Sequence, residues 1–284
     1  MPGQYWKQVV ASGLEVPQDR PLDDLTAELT RMLGDTDPEA RDGTAYPTLA
    51  TWVERGVYDD LLSGLGDGMA AGLGVGLGER DTDSVFRRSF SALILGECIG
   101  RDNKRPLVPG AKVLEWGDRL ATWLLRERDL RGFVPGKGWA HGVAHGADAL
   151  ATLAQSPHVA TNELTVILDV IADRVLLPVD RLFSNGEPDR LAAATMAVLR
   201  RNIVSLRVLE PWIARLAASA GAMASYDDRD PHLASGNAQA FLRALYLQLA
   251  LGPNAPGVRP DLVLVLVDAL RASNPDFLQA RHPR

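Results

Sequence analysis

The chain has 284 residues, 46% of them apolar, enough to bury a substantial core without disulfide or metal staples. Its 36 acidic and 30 basic residues give a formal charge of −6 with no basic block, which argues against nucleic acid as a partner, since phosphates call for a cationic face. The start, MPGQYWKQVV, lacks the pattern of a secretory signal, and the most apolar run, residues 262–267, is far short of the ~20 residues of a membrane helix, so a soluble protein without membrane contact is expected.

In chain order, an N-terminal segment (1–20) precedes LDDLTAELTRMLGD (22–35), whose leucines recur at three- and four-residue spacing and predict an amphipathic helix. DPEARDGTAYPTLATWVERG (37–56) follows. The run GLGDGMAAGLGVGLGERD, from Gly64, contains Gly72-Leu-Gly74, half of a dinucleotide fingerprint. No strand is visible before it, so it reads as close helix packing or a hairpin turn. RRSFSALILGECIG (87–100) brings Arg87, Arg88, Ser89, Ser91 and the single cysteine, Cys98. A lone thiol in an apolar run is expected in the core and fits a reducing cytoplasm. KVLEWGDRLATWLLRERDL (112–130), NELTVILDVIADRVLLP (162–178) and NAQAFLRALYLQLALG (237–252) continue the helical period, and no run of strand-like alternation stands out.

Several segments align with one another. Asp37-Pro-Glu-Ala-Arg41 and Asp83-Ser-Val-Phe-Arg87 share an acidic start, an arginine four residues on and a leucine eight beyond that. His141 of GKGWAHGVAHGADAL, Arg190 of GEPDRLAAATMAVLRR and Asn237 fit the same frame, at steps of 46, 54, 49 and 47 residues. A period near fifty is what stacked helical hairpins give, with one helix of each hairpin lining a common side. Arg41, Arg87, His141, Arg190 and Asn237 are then expected to form one polar row.

The stretch 136–150 carries two of the five histidines. In a continuous helix His141, His145 and Asp148, at i, i+4 and i+7, fall within about 60° of arc, with Trp139 and Val143 turned into packing. Such a set can chelate one divalent ion, zinc, iron or manganese, or serve as metal-free catalytic groups. Gly142 stands where an HExxH protease has its glutamate, which excludes that enzyme class. The alternative is that the histidines bond to neighbouring helices and Asp148 pairs with an arginine. Ala140, Gly142, Ala144, Gly146 and Ala147 are small, which lets another backbone or a ligand come close. Glu187 and Arg190 start a helix behind Gly186, as a cap with a local ion pair or as a reach towards the histidine helix. Ser91, one turn after Arg87, is a candidate ligand contact. His158, His232 and His282 follow or precede prolines and read as solvated or capping groups.

DPEARDGTAYPTLATWVERG, VFRRSFSALIL, RGFVPGKGWAHGVAHGADAL, GEPDRLA and NAQAFLRALYLQL together resemble an uncharacterised bacterial all-helical family, domain of unknown function 2785, with GWAHxxAHGAD as its signature. The resemblance runs from about residue 20 to about 250. By motif position it implies Arg41, Asp42, Arg87, Ser89, Trp139, His141, His145, Asp148, Glu187, Arg190 and Asn237 as signature residues, and it implies no activity.

The expected architecture is an all-α, right-handed stack of helical hairpins, a HEAT-like α-solenoid, in one domain over 21–284, with a closed α/α toroid as the alternative. The expected function is a cytoplasmic protein binding a small polar or anionic ligand on its concave face. Arg41, Arg87, Ser91, Trp139, Glu187, Arg190 and Asn237 are the candidate ligand contacts, and His141, His145 and Asp148 supply orientation and proton transfer. The alternatives are a metal-dependent hydrolase or oxygenase centred on His141, His145 and Asp148, and a scaffold for a protein partner.

Overall fold

Leucine, valine and tryptophan at helical spacing become helices almost throughout the computed structural model, which describes residues 2–221 and 230–278. His282 lies outside the described residues. The chain divides into two compact units, Met1–His158 and Val159–Arg284.

The first unit contains α1 (Pro2–Ala11), α2 (Leu22–Met32) and the short α3 (Pro38–Ala40), which runs through one π turn, Arg41–Ala45, into α4 (Tyr46–Glu54). Then come α5 (Leu62–Gly72), α6 (Ser84–Lys104), α7 (Gly110–Arg126), the two-residue strands β1 (Phe133–Val134) and β2 (Gly138–Trp139), and α8 (Gly142–Ala154). The antiparallel ribbon sets Phe133 opposite Trp139 and Val134 opposite Gly138. No strand was expected, because two residues are too few to show a period. The N-terminal segment is docked: Trp6 is buried and its indole N–H donates to Glu28 at 2.9 Å, while Trp52 donates to the Leu14 carbonyl at 2.8 Å.

At the centre of this unit is α6, with α4, α5 and α8 packed on it and α7 packed on α5 and α8. Close approach explains the glycines. A Cβ on Gly66 would collide with the Trp116 ring of α7, and one on Gly146 would lie 2.8 Å from Leu124. Within the glycine-rich run Gly66 therefore makes a helix contact, and Gly146 of α8 admits α7. Cys98 is fully buried, and burial pushes its thiol up, out of reach of physiological titration.

The second unit contains α9 (Thr161–Leu176), α10 (Glu187–Leu199), α11 (Leu206–Ala220), α12 (Gly236–Leu251), α13 (Arg259–Ser273) and the single turn α14 (Pro275–Leu278). Helix α10 packs on α12, and α11 packs between α9 and α13. The Trp212 indole ties α11 to the Leu168 carbonyl of α9 at 2.8 Å. No described helix is long and apolar enough to cross a membrane.

The polar centre of the first unit is a fully buried ion pair. Arg88 of α6 grips Glu127, just past α7, through Nε at 2.6 Å and Nη2 at 2.9 Å. Nη1 of Arg88 also donates to the carbonyls of Val75 and Gly76, and Glu127 accepts from the Trp123 indole and from the backbone N–H groups of Arg128 and Asp129. Removing one member leaves the other charged without its partner, at a cost of about 3–5 kcal/mol. Glu127→Gln should therefore lower the urea midpoint by that order of stability. An unchanged midpoint would show that the pair does not hold this unit together.

Candidate functional site

The ribbon places the signature residues. Its turn is closed by Lys137 N–H to the Val134 carbonyl at 3.0 Å, with Gly136 and Gly138 in the left-handed region, at φ 75° and 78°, where glycine carries no steric cost. Arg41 fixes the turn from below. Fully buried, it donates to the Lys137 carbonyl at 2.7 Å and to the Asp35 carbonyl at 2.6 Å, and its guanidinium lies 4.1 Å from the centre of the Phe86 ring. Asp42 pairs with it at 2.7 Å, while burial holds the guanidinium below its usual pKa. Arg41 therefore positions the ribbon and is not exposed to a ligand.

Beyond the ribbon the chain turns sharply. His141 sits at φ 50°, a left-handed conformation uncommon for a residue with a Cβ, and helix α8 begins only at Gly142. The expected helix through Trp139 and His141 is thus corrected: His141 is the residue before the helix. Its carbonyl still accepts the His145 N–H at 2.9 Å. Trp139, expected in packing, is 41% exposed. It stacks on the His141 ring at 4.3 Å and meets Phe133, 52% exposed, edge to face at 5.0 Å. Val143 is buried as expected.

His145 lies one turn inside. Its ring stands edge to face with His141 at 5.6 Å and with Phe90 at 5.0 Å. Its Nδ1 is 2.6 Å from Ser89 Oγ, which in turn sits very close to the Ala140 carbonyl. A carbonyl cannot donate, so the single hydroxyl proton of Ser89 must point at Ala140. Nδ1 of His145 is then the donor to Ser89, and in the neutral ring Nε2 carries the lone pair. Ser89 is thereby an orienting group, with its proton held by a backbone carbonyl. Asp148, half-buried, follows on α8, and its carbonyl accepts from Thr152 at 3.2 Å. Among the described residues no group of three or more His, Cys, Asp or Glu side chains is placed to hold a metal ion.

The expected polar row does not form as one surface in the first unit. On α6, Ser89 faces α8 and Phe90 faces His145, whereas Arg87 donates to the Thr30 carbonyl of α2 and Ser91 abuts Gly72 of α5. Arg87 and Ser91 thus belong to another face. Glu187, Arg190 and Asn237 lie in the second unit. Glu187 is buried and accepts the Asn185 N–H at 2.7 Å; burial raises its pKa, and Arg190 partly offsets this. Asn237 Oδ1 accepts the Phe183 N–H at 2.9 Å, a role in holding the loop before α10. His158 Nε2 lies 3.4 Å from the buried Asp102, and His232 follows the Asp230 cap of a 3-10 turn.

Two groups near the site were not singled out from sequence. Tyr46 meets Phe90 edge to face at 6.2 Å and donates to Glu97 at 3.2 Å, while burial raises the Glu97 carboxyl. Glu97 is seven residues after Phe90, so helical spacing already puts them on one face.

Fold and site together define an all-helical protein with an aromatic and imidazole cluster at the start of α8. The chain belongs to the family described as protein of unknown function DUF2785, whose model matches residues 73–247 and so takes in the ribbon, α8, α10 and Asn237. No curated protein and no solved structure matches it.

Nitrogen-15 NMR of the neutral His145 ring should show a protonated Nδ1 and a bare Nε2, and Ser89→Ala should abolish that preference. A bare Nδ1 in the native protein would refute the orientation argued for Ser89. For Glu187, a folded pKa above the unfolded one means that its contribution to stability is present at low pH and is lost as pH rises through the raised value. Glu187→Gln keeps an acceptor for Asn185 and removes the charge. Its Tm should match wild type near pH 4 and exceed it at pH 8, and the reverse ordering would contradict the burial effect.

Proposed function

We propose that the protein binds a small polar or anionic molecule at the start of α8, against Trp139, His141 and His145. The observation that carries this reading is the exposed Trp139 ring stacked on a histidine held in a left-handed conformation, next to a second histidine in hydrogen-bond reach of Ser89. Strained conformations of this kind cost about 1–3 kcal/mol and persist where the surroundings enforce them, which is common at ligand sites. Trp139 offers a flat face to a ligand, backed by the His141 ring, which in turn meets the His145 ring. Arg41 and Ser89 act at one remove, through the ribbon and the ring.

A second reading, a metal-dependent hydrolase or oxygenase using zinc, iron or manganese, rests on the same contact of His145 with Ser89. Metal-binding histidines commonly donate their other nitrogen to an outer acceptor, as His145 does to Ser89. Elemental analysis of the untagged protein beside His141→Ala/His145→Ala tests it.

The HEAT-like stack also belongs to this proposal. Its support is the alternation within each unit: α4, α6 and α8 pack in succession with α5 against α7, and α10 packs on α12 with α9, α11 and α13 in succession. A cytoplasmic setting is proposed from the lone buried thiol.

The binding reading is tested by thermal shift of wild type, His145→Gln and Trp139→Ala with acetate, succinate, citrate, phosphate and simple sugars. A ligand at 100 times its Kd stabilises by about 2.7 kcal/mol, so a rise in wild-type Tm that is lost in both variants is the expected outcome. Equal rises in all three proteins, or none across the panel, would overturn it.

A further inference from the structure

Arg87 is anomalous among the arginines of the first unit that are withdrawn from solvent. Arg88 and Arg131 are each clasped by a carboxylate, and Arg41 has Asp42. Arg87 is half-buried, and among the described residues no carboxylate compensates its charge: its pKa is lowered by burial alone. Nη1 donates to the Thr30 carbonyl, and Nε is buried without a hydrogen-bond partner among those residues. Beside it Ser91, fully buried, has a hydroxyl equally without a partner there, and both groups press on Gly72, where a Cβ would collide with Ser91 and lie 3.1 Å from Arg87 Nε. A cation withdrawn from water without a counter-ion destabilises the fold, and an incoming anion would relieve that cost.

A groove ends close to this guanidinium, at the residue whose carbonyl it holds. It runs between α2 and α5, with a volume of about 440 Å³, lined by Thr26, Thr30, Tyr58, Leu65, Gly68 and Met69. Thr30 is the residue whose carbonyl holds Arg87, and Gly72 lies one turn beyond Gly68, so the guanidinium stands just past one end of the groove. The other end carries exposed carboxylates, Asp23 and Asp60. Asp23 is seven residues from Thr30, about 10 Å along the helix. The polarity is therefore one-way: an anionic head is repelled from the acidic end and drawn to Arg87. Between the ends the wall is apolar, and a Cβ at Gly64 or Gly68 would meet nothing within 4 Å.

We propose that this groove binds a small amphiphilic anion, with its carboxylate or phosphate head on Arg87 and its apolar body along Leu65 and Met69. The site is separate from the one at the start of α8 and does not rest on it.

The test is thermal shift and calorimetric titration with octanoate and hexyl phosphate, with octanol as the neutral control. Octanoate, hexyl phosphate or both should raise the wild-type Tm by about 5 °C near saturation, whereas octanol should not; which head acts distinguishes carboxylate from phosphate. Arg87→Met should abolish the shift while raising the Tm of the ligand-free protein, because it removes the uncompensated charge. Gly68→Leu, which fills open space and leaves Arg87 in place, should abolish the shift as well, and it decides the matter if Arg87→Met fails to fold. His145→Gln should keep the full shift, so failure here is distinct from failure at α8. A shift that survives Arg87→Met or Gly68→Leu, an equal shift with octanol, or no shift with either anion would overturn the proposal.

Discussion

The buried pair of Arg88 and Glu127 is the constraint on which the histidine cluster depends. Glu127 ends α7 and, by accepting the next two backbone N–H groups, dictates how the chain leaves that helix. Asp129 then clasps Arg131, whose guanidinium reaches the Thr82 carbonyl before α6. The backbone of this same stretch supplies acceptors for the turn into α8: Gly132 receives the Ala140 N–H at 2.8 Å and Arg131 the His141 N–H at 3.2 Å. The path from Glu127 to His141 is thus fixed at both ends, and the left-handed turn at His141 is held by neighbours that cannot yield without exposing a buried charge.

Much of this was legible in the sequence, and the remainder was hidden for identifiable physical causes. Helices declare themselves through the spacing of Leu25, Leu29 and Leu33 or of Trp116, Leu120 and Trp123, all of which are buried. The importance of 136–150 was legible as well. Its shape was not: the periodic frame carried a helix back through Trp139, whereas Gly136 and Gly138 signalled a turn that the frame overrode. Aligning Arg41 with Arg87 by register also misled, because a shared sequence position fixes which helix face a residue occupies only if the helix is regular, and Arg41 begins a π turn. The sequence does not pair Glu127 with Arg88, because nothing local marks a buried ion pair whose members are thirty-nine residues apart.

The arginines of the first unit show how one residue type takes different roles through its surroundings. Arg88 is neutralised and multiply bonded, Arg41 stacks on Phe86 while gripping two carbonyls, and Arg87 holds a single carbonyl with no carboxylate among the described residues to balance it. The first two are determined by the fold. The third has no such compensation among the described residues, and the anion proposed for the groove would supply it.

The π turn at Arg41–Ala45 has a consequence for how this protein tolerates change. Tyr46 reaches back five residues to the Arg41 carbonyl, so the turn holds one residue more than a regular one. Deleting that residue would rotate everything after it by about 100° about the helix axis. Either Leu49 and Trp52 would leave the core or Arg41 would leave the ribbon, since both are anchored now. Length is therefore as strictly encoded here as identity: a lineage could exchange many side chains in this segment, yet an insertion or deletion within it would break the link between the core of the unit and the ribbon that carries Trp139.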